Sequence, residues 1–169
     1  MDINNIAENR RLLKRYLSRY YKVKEKRKIL ERRLQVLQAE LRYPELTPPS
    51  SSSILFPKKK DNGDILLAFQ IGDIEDRIRI QIEMQRKSII EIMDIIDFLP
   101  IESTERDILE HRHIDCKSWS DICKLVHLTR SPCFEHYNKA LDKLLTFKKV
   151  RATLEEFENR LTKESSDAY

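Results

Sequence analysis

All four histidines and all three cysteines of the chain lie within residues 111–136, and these side chains could build a zinc site or a catalytic centre. Structural zinc usually takes two close pairs of ligands, such as CxxC or HxxxH. The nearest pairs here are His113 with Cys116, Cys123 with His127, and Cys133 with His136, and no CxxC occurs. Cys123 and Cys133 fall at inward-facing helix positions, where a free cysteine behaves as a small hydrophobe. We therefore predict no metal and no cofactor, with zinc as the alternative left open.

Catalytic motifs do not accompany these residues. The two glycines, Gly63 and Gly72, are too few to build GxGxxG, a Walker A loop or GxSxG. No Cys–His pair comes with a recognisable oxyanion or substrate-binding loop. We predict that the protein is not an enzyme.

The composition predicts an all-α fold. Only two of 169 residues are glycine and 36% are charged, so the turn residues of a many-stranded sandwich or barrel are missing. No apolar run reaches the roughly 18 residues that a membrane span needs, and the N-terminus lacks the apolar segment of a secretory signal. An odd number of cysteines suits free thiols. We expect a cytoplasmic protein without a membrane partner.

Positive charge is concentrated near the N-terminus. Residues 1–43 carry 13 Lys or Arg against 5 Asp or Glu, whereas residues 101–150 carry 9 against 8. A segment with so much positive charge favours binding to a polyanion. The alternative is that these charges lie on a solvent-exposed helix face and bind no partner. Candidate contacts to a phosphate backbone are Arg10, Arg11, Lys14 and Arg15.

Two heptad patterns predict a helical hairpin over residues 1–99. In the first, over residues 6–41, nine of eleven core positions are apolar, with Asn9 and Arg27 as the exceptions, and Pro44 ends the helix. A Pro/Ser/Lys-rich loop follows at about 44–64. The second helix runs from Ile65 or Asp73 to Phe98, with Asp73 and Asp76 placed for a start after Gly72. The core positions of this second heptad pattern, here called its seam, hold Ile71, Ile78, Ile82, Ile89, Ile92, Ile96 and Leu99. Glu75 and Gln85 are the polar exceptions at these positions.

Alternatives to this hairpin stay open. A small β-hairpin could pair Ile54–Phe56 with Ile65–Phe69 around Asp61-Asn62-Gly63. Dimerisation through the same seam competes with folding of the chain back on itself.

Residues 100–150 predict three short helices. After Pro100 comes an amphipathic helix with Ile101, Ile108 and Leu109, then a short helix capped by Ser118, then a turn at His127 and Leu128. The third helix, residues 129–145, begins at Thr129 and buries Cys133, Tyr137, Ala140, Leu141 and Leu144. Two helices joined by a turn of three or four residues are typical of a helix-turn-helix. Residues 151–169 form a C-terminal helix and tail, whose apolar stripe packs on the hairpin or on a second copy.

The stretch from Leu99 through Leu144 resembles the helix-turn-helix of region 4 of sigma-70-type factors. The resemblance rests on the proline-containing entry, the SWSDI helix, the turn, Thr129-Arg130-Ser131 and the closing run HYNKALDKLL. With the preceding helical hairpin, the chain resembles small phage-encoded late-transcription regulators of the ArpU and RinA kind. Two departures are His127, where glycine is usual in the turn, and the pair Phe134-Glu135, at positions that are often basic.

This resemblance implies a phage- or prophage-encoded, sequence-specific transcription regulator that binds double-stranded DNA as a homo-oligomer. If helix 129–145 enters a major groove, Arg130, Phe134 and Glu135 would contact base edges. The full set of candidate DNA-binding residues is Thr129, Arg130, Ser131, Phe134, Glu135, Asn138, Lys139 and Lys117. One alternative is an adaptor that engages RNA polymerase or another regulator, and another is a nonspecific nucleic-acid chaperone using residues 10–33.

Overall fold

The computed structural model describes residues 3–42 and 60–166, and within these ranges it contains helices and no strand. The all-α prediction is confirmed. The described helices are α1 (Ile3–Leu17), α2 (Arg19–Arg42), α3 (Lys60–Ile96), α4 (Thr104–His113), α5 (Trp119–Leu125), α6 (Arg130–Thr146) and α7 (Lys148–Ser166).

A single residue, Ser18, separates α1 from α2. The helical hydrogen bonds continue through it, from the Ser18 N–H to the Lys14 carbonyl at 3.1 Å and from the Lys22 N–H to the Ser18 carbonyl at 3.2 Å. The Ser18 hydroxyl also donates to the Lys14 carbonyl, at 2.8 Å. A serine that bonds back to the preceding turn often bends a helix. The predicted helix over 6–41 is thus present, with a local irregularity that the heptad pattern does not reveal.

Helix α3 begins earlier than predicted. Asp73 and Asp76 do not start it, because the helix already runs from Lys60 and passes through Gly72. An interior glycine costs only about 1 kcal/mol, which a helix of 37 residues absorbs. Ile65–Phe69 lies in this helix rather than in a strand, and Ile54–Phe56 lies outside the described residues.

The chain divides into two compact units: a hairpin unit, Val23–Gln85, and a core unit made of Met1–Lys22 and Arg86–Tyr169. This division differs from the predicted domains at 1–99, 100–150 and 151–169. The reason is that both ends of the predicted hairpin segment, α1 and the last turns of α3, contribute to the core of the second half of the chain.

In the hairpin unit, α2 and α3 run antiparallel. The Arg27 guanidinium donates to the Gln85 side-chain oxygen at 2.8 Å, and further along, Leu37 and Ile74 line one groove. As the residue number rises on α2 it falls on α3, as a helical hairpin requires. The predicted core position Glu75 is exposed in the structure. The neighbouring Ile74 is partly buried and faces the groove instead.

In the core unit, α1, the end of α3 and α4 to α7 enclose one apolar core. Helix α3 contributes Ile92, Ile95 and Ile96, Leu99 follows just after it, and α1 contributes Leu13, Tyr16 and Leu17. The Arg19 guanidinium pairs with Glu91 at 2.8 Å, which fastens the start of α2 to α3. At the entry to α4, Arg106 contacts Asp97 and the Leu99 carbonyl.

Helix α7 restarts after an extended Phe147 and packs on α1 and α6. Its apolar stripe, Val150, Leu154 and Phe157, is buried in the core unit. The Phe157 ring meets Tyr16 of α1 edge-on, with 5.2 Å between the ring centres. The C-terminal stripe therefore packs within the chain, which leaves it no free apolar face for a second copy.

Candidate nucleic-acid interface

Hydroxyl caps define the starts of α4 and α5. The Ser103 side chain accepts from the Arg106 N–H at 3.3 Å, and the Ser118 side chain accepts from the Asp121 N–H at 3.2 Å. The Ser118 bond satisfies a backbone donor of the first turn of α5, whereas the Arg106 N–H is shared between the Ser103 hydroxyl and the Ser103 carbonyl, which is 2.9 Å away. The predicted cap at Ser118 is confirmed. Thr129 occupies the capping position of α6, but its side chain makes no cap hydrogen bond.

Four residues, 126–129, join α5 to α6. The Leu128 N–H donates to the Cys123 carbonyl at 3.0 Å and the His127 N–H to the Lys124 carbonyl at 3.3 Å. This pair of bonds is a Schellman motif, which requires a left-handed residue after the helix. His127 adopts that conformation with φ of 53°. The position favours glycine, so the departure noted in the sequence carries a real strain.

The inward face of α6 holds the five residues predicted for it. Cys133, Ala140, Leu141 and Leu144 are fully buried, and Tyr137 nearly so. On the opposite face, Arg130, Ser131, Glu135 and Lys139 are exposed, and Phe134 and Asn138 are half-buried. The structure thus brings the candidate residues of α6 together on one solvent-facing surface.

A stack of four side chains links α4 and α5 to the start of α6. The Arg112 guanidinium lies 5.1 Å from the centre of the Trp119 ring, Trp119 lies 4.2 Å from Phe134, and Arg130 lies 5.7 Å from Phe134. Cation–π contacts of this kind contribute roughly 0.5–1 kcal/mol at exposed sites. Phe134 is therefore engaged inside the protein, and its contact with Arg130 limits the conformations of that guanidinium.

A concave surface lies beside this stack. It encloses about 440 Å³ and is lined by Trp119, Ser120, Cys123, Lys124, Leu128 and Arg130. Lys124 and Arg130 place two cations at the point where α5 meets α6.

Glu105 is a nearly buried carboxylate surrounded by basic side chains of α6. Its oxygen lies 3.4 Å from His136 Nδ1, 3.6 Å from Lys139 Nζ and 3.4 Å from Lys143 Nζ. Burial raises the pKa of Glu105, but hydrogen bonds from its own backbone N–H and from His136, with the charge of Lys143, outweigh burial and hold the pKa below its ordinary value. Sequence reasoning missed this cluster, because Glu105 is 31 to 38 residues from its partners.

His113 joins three helices from inside the core unit. Its Nε2 lies 3.2 Å from the Tyr137 hydroxyl of α6, and its ring hydrogen-bonds the Leu17 backbone of α1. Burial is the main reason that its pKa falls to about 3, helped by the charge of Arg112. Burial likewise raises the pKa of Tyr137 to about 12. At neutral pH, His113 is an uncharged structural link, with its ring accepting a hydrogen bond from Tyr137.

The predicted backbone contacts on α1 lie next to α6. The Arg10 guanidinium makes a two-point ion pair with Asp142 of α6, and Lys14 lies 5.5 Å from the centre of the Tyr137 ring. Arg11, Lys14, Arg15 and Lys22 line a shallow groove of about 890 Å³ that also contains Glu8 and Glu158. The start of the basic segment is therefore part of the same unit as α6, and Arg10 is already engaged there.

Lys117 lies in the connection between α4 and α5 rather than on α6. Its ammonium is 2.8 Å from Asp115 and 3.1 Å from His111 Nδ1. The hydrogen bonds from Lys117 and then His111 hold the pKa of Asp115 below its ordinary value. Lys117 thus has a local partner in the free protein.

The cysteines and histidines do not assemble into a ligand set in the described part of the chain, where no three metal-binding side chains come together. Cys116, Cys123 and Cys133 are free thiols. Cys133 is buried, and burial together with the neighbouring Cys123 thiol raises its pKa to about 11.

The chain matches no protein-family model, no curated protein and no solved structure. Within the described residues, no helix combines the length and apolar character needed to cross a bilayer.

Proposed function

We propose that this protein is a sequence-specific DNA-binding transcription regulator that reads the major groove with α6. The observation that carries the proposal is the arrangement of α5 and α6, joined by four residues, with a cluster of candidate contacts exposed at the start of α6. In helix-turn-helix proteins, this part of the second helix reaches base edges.

Arg130 is the strongest candidate for base recognition. It is exposed, it lies in the first turn of α6, and the Phe134 ring supports its guanidinium. A bidentate contact from arginine to guanine contributes roughly 1–3 kcal/mol of discrimination. Glu135 would accept from a cytosine amine, and Ser131 and Thr129 would face phosphate at the helix N-terminus.

Attraction to the phosphate backbone would come from α1. Arg11, Lys14 and Arg15 lie on a helix that packs against α6, so phosphate contacts and base contacts belong to one compact unit. Phosphate contacts fix the position of a protein on the duplex, whereas base contacts provide the selectivity.

The experiment is selection of duplexes from a random pool by the full-length protein, followed by sequencing. The wild type should enrich one motif. Arg130→Ala should weaken the preference at one or two base pairs by roughly 5- to 150-fold, the equivalent of 1–3 kcal/mol. Arg79→Ala, which removes another exposed arginine, from the hairpin unit, is the matched control and should leave the motif unchanged. Failure of the wild type to enrich any motif would overturn the proposal.

A second candidate function is a protein-binding adaptor that engages RNA polymerase or another regulator. The low net charge of residues 101–150, with 9 Lys or Arg against 8 Asp or Glu, favours it, because DNA-binding modules are usually strongly basic. This function predicts capture of RNA polymerase by the wild type without enrichment of any DNA motif.

A further inference from the structure

Two of the three cysteines lie on either side of the connection between α5 and α6. Cys123 is in the last turn of α5, and Cys133 is in the first turn of α6. Their backbones are bound to adjacent residues of the connection. The Leu128 N–H donates to the Cys123 carbonyl at 3.0 Å, and the Cys133 N–H donates to the Thr129 carbonyl at 3.1 Å. The turn therefore holds the two cysteine backbones near each other.

The aromatic contacts between α5 and α6 show which faces of the two helices meet. Trp119 precedes Cys123 by four residues, and Tyr137 follows Cys133 by four residues. The two rings meet edge-on, with 5.1 Å between their centres. Residues four positions apart lie on the same face of a helix. Cys123 and Cys133 thus occupy the same two facing sides as the rings, one helical turn closer to the connection.

The two thiols are neighbours that differ in their access to solvent. The Cys133 side chain is fully buried, and its S–H is in hydrogen-bonding contact with the Cys123 sulfur. Cys123 is only partly buried and lines the concave surface beside the aromatic stack, together with Ser120 and Leu128. A small molecule that enters this concave surface therefore meets Cys123 first, with Cys133 next to it.

The third cysteine belongs to another segment. Cys116 lies in the connection between α4 and α5, where its thiol donates to the Ile114 carbonyl at 3.6 Å. The fold therefore distinguishes one pair of thiols, across α5 and α6, from a third thiol.

We propose that Cys123 and Cys133 form a reversible disulfide that links α5 to α6 when the protein meets a peroxide. The Cys123 sulfur attacks one peroxide oxygen, the O–O bond breaks, and the leaving hydroxide takes the thiol proton to form water. Cys123 is then a sulfenic acid. The Cys133 sulfur attacks the Cys123 sulfur, the S–O bond breaks, and the leaving hydroxide takes the Cys133 proton as a second water. In total, two thiols are oxidised to one disulfide and one peroxide is reduced to two waters.

This inference does not depend on DNA binding, since it uses only the packing of α5 on α6. The disulfide would close a loop that contains the whole α5–α6 connection, including the left-handed His127. A closed loop restricts the unfolded chain and thereby stabilises the folded one. Oxidation should therefore raise the midpoint of thermal unfolding, and a thiol reductant should reverse the shift.

The test is mass spectrometry of the full-length protein after treatment with hydrogen peroxide, alkylation of the remaining thiols and proteolysis. The wild type should lose about 2 Da, the mass of two hydrogen atoms, and yield a cross-linked peptide pair that joins Cys123 to Cys133. Cys116 should be recovered alkylated, and dithiothreitol should restore all three thiols. Pairing of Cys116 with either other cysteine would overturn the proposal. So would three unreacted thiols in excess peroxide, or Cys123 recovered as an oxidised acid without a cross-link.

Two variants separate the pair from the third thiol. Cys116→Ser is the matched control and should give the same cross-link in the same yield as the wild type. Cys133→Ala should abolish the cross-link and leave Cys123 as a sulfenic acid that dimedone traps. A cross-link that persists in Cys133→Ala would show that Cys123 has another partner and would contradict the proposal. Circular dichroism of each variant before oxidation checks that the fold is retained.

A second measurement needs no substitution. The wild type oxidised in urea should give a mixture of cysteine pairs, because the unfolded chain no longer holds Cys123 beside Cys133. The same treatment without urea should give the one pair. A cross-link that forms with equal selectivity in urea would refute the role of the fold in choosing the pair.

Discussion

Acid should destabilise the core unit through one residue, His113. The imidazole is 5% exposed, and its pKa is lowered to about 3, mainly by burial. An unfolded histidine titrates near 6.5. Because the folded pKa is the lower one, the unfolded chain takes up a proton first as pH falls. The contribution of His113 to stability is therefore complete above about pH 6.5 and is lost progressively toward pH 3.

The size of this effect follows from the two pKa values. Each pH unit between them changes the free energy of unfolding by about 1.4 kcal/mol, so lowering the pH from 7 to 4.5 should cost about 2.5 kcal/mol through this one group. Carboxylates add to the total, which is why the comparison must be with a variant that lacks the imidazole. His113→Gln keeps a donor and an acceptor for Leu17 and Tyr137 and does not titrate.

The assay is urea unfolding of both proteins at several pH values from 7 to 4.5, followed by far-UV circular dichroism. The difference between the two stability curves should change by about 2.5 kcal/mol over this range, with the wild type losing more. Parallel curves would refute the reasoning, because His113 would then be free to accept a proton in the folded state.

Three further changes test other parts of the structure. His127→Gly should raise the free energy of unfolding by roughly 0.5–1 kcal/mol in a urea titration, since φ is 53° there; a decrease would show that the turn is not strained. Glu105→Gln should lower the free energy of unfolding by about 1–2 kcal/mol at neutral pH, because it removes the carboxylate that contacts Lys139, Lys143 and His136 of α6. That loss should shrink as the pH falls below about 4.5, because the unfolded wild type is protonated first and the contribution of the carboxylate disappears as the pH approaches its lower pKa in the folded state. Replacing Arg11, Lys14 and Arg15 with alanine should reduce the slope of log affinity for nonspecific DNA against log salt by about 0.9 for each phosphate that the protein no longer neutralises, and an unchanged slope would remove α1 from the interface.

The faces of the short helices were predictable from local periodicity. The five inward residues of α6 recur at helical spacing, and only one face of that helix can be buried. The cap at Ser118 was equally local, since a hydroxyl before a helix accepts from an N–H three residues later. Such features depend on neighbours within one or two turns.

Features that depend on distant partners were not predictable. The heptad pattern showed that α1 buries a stripe, but it did not show that the stripe joins α4, α6 and α7 rather than only α3. The pairing of Arg10 with Asp142 joins residues that are 132 positions apart. Glu105 and His113 have no signal in their own helix, because their importance comes from burial and from partners on other helices. The start of α3 was predicted at Ile65 or Asp73 instead of Lys60, because neither Asp61-Asn62-Gly63 nor Gly72 interrupts the helix.

The central claim, base reading by α6, is tested most directly by one ratio of affinities. The selected duplex and a shuffled duplex of the same composition are titrated with wild type and Arg130→Ala at one fixed salt concentration near the physiological value. The wild type should prefer the selected duplex by at least roughly 10³-fold, as specific DNA-binding proteins do. Arg130→Ala should reduce that preference by roughly 5- to 150-fold with little change for the shuffled duplex. A wild-type ratio close to one, or a ratio that Arg130→Ala leaves unchanged, would contradict the account.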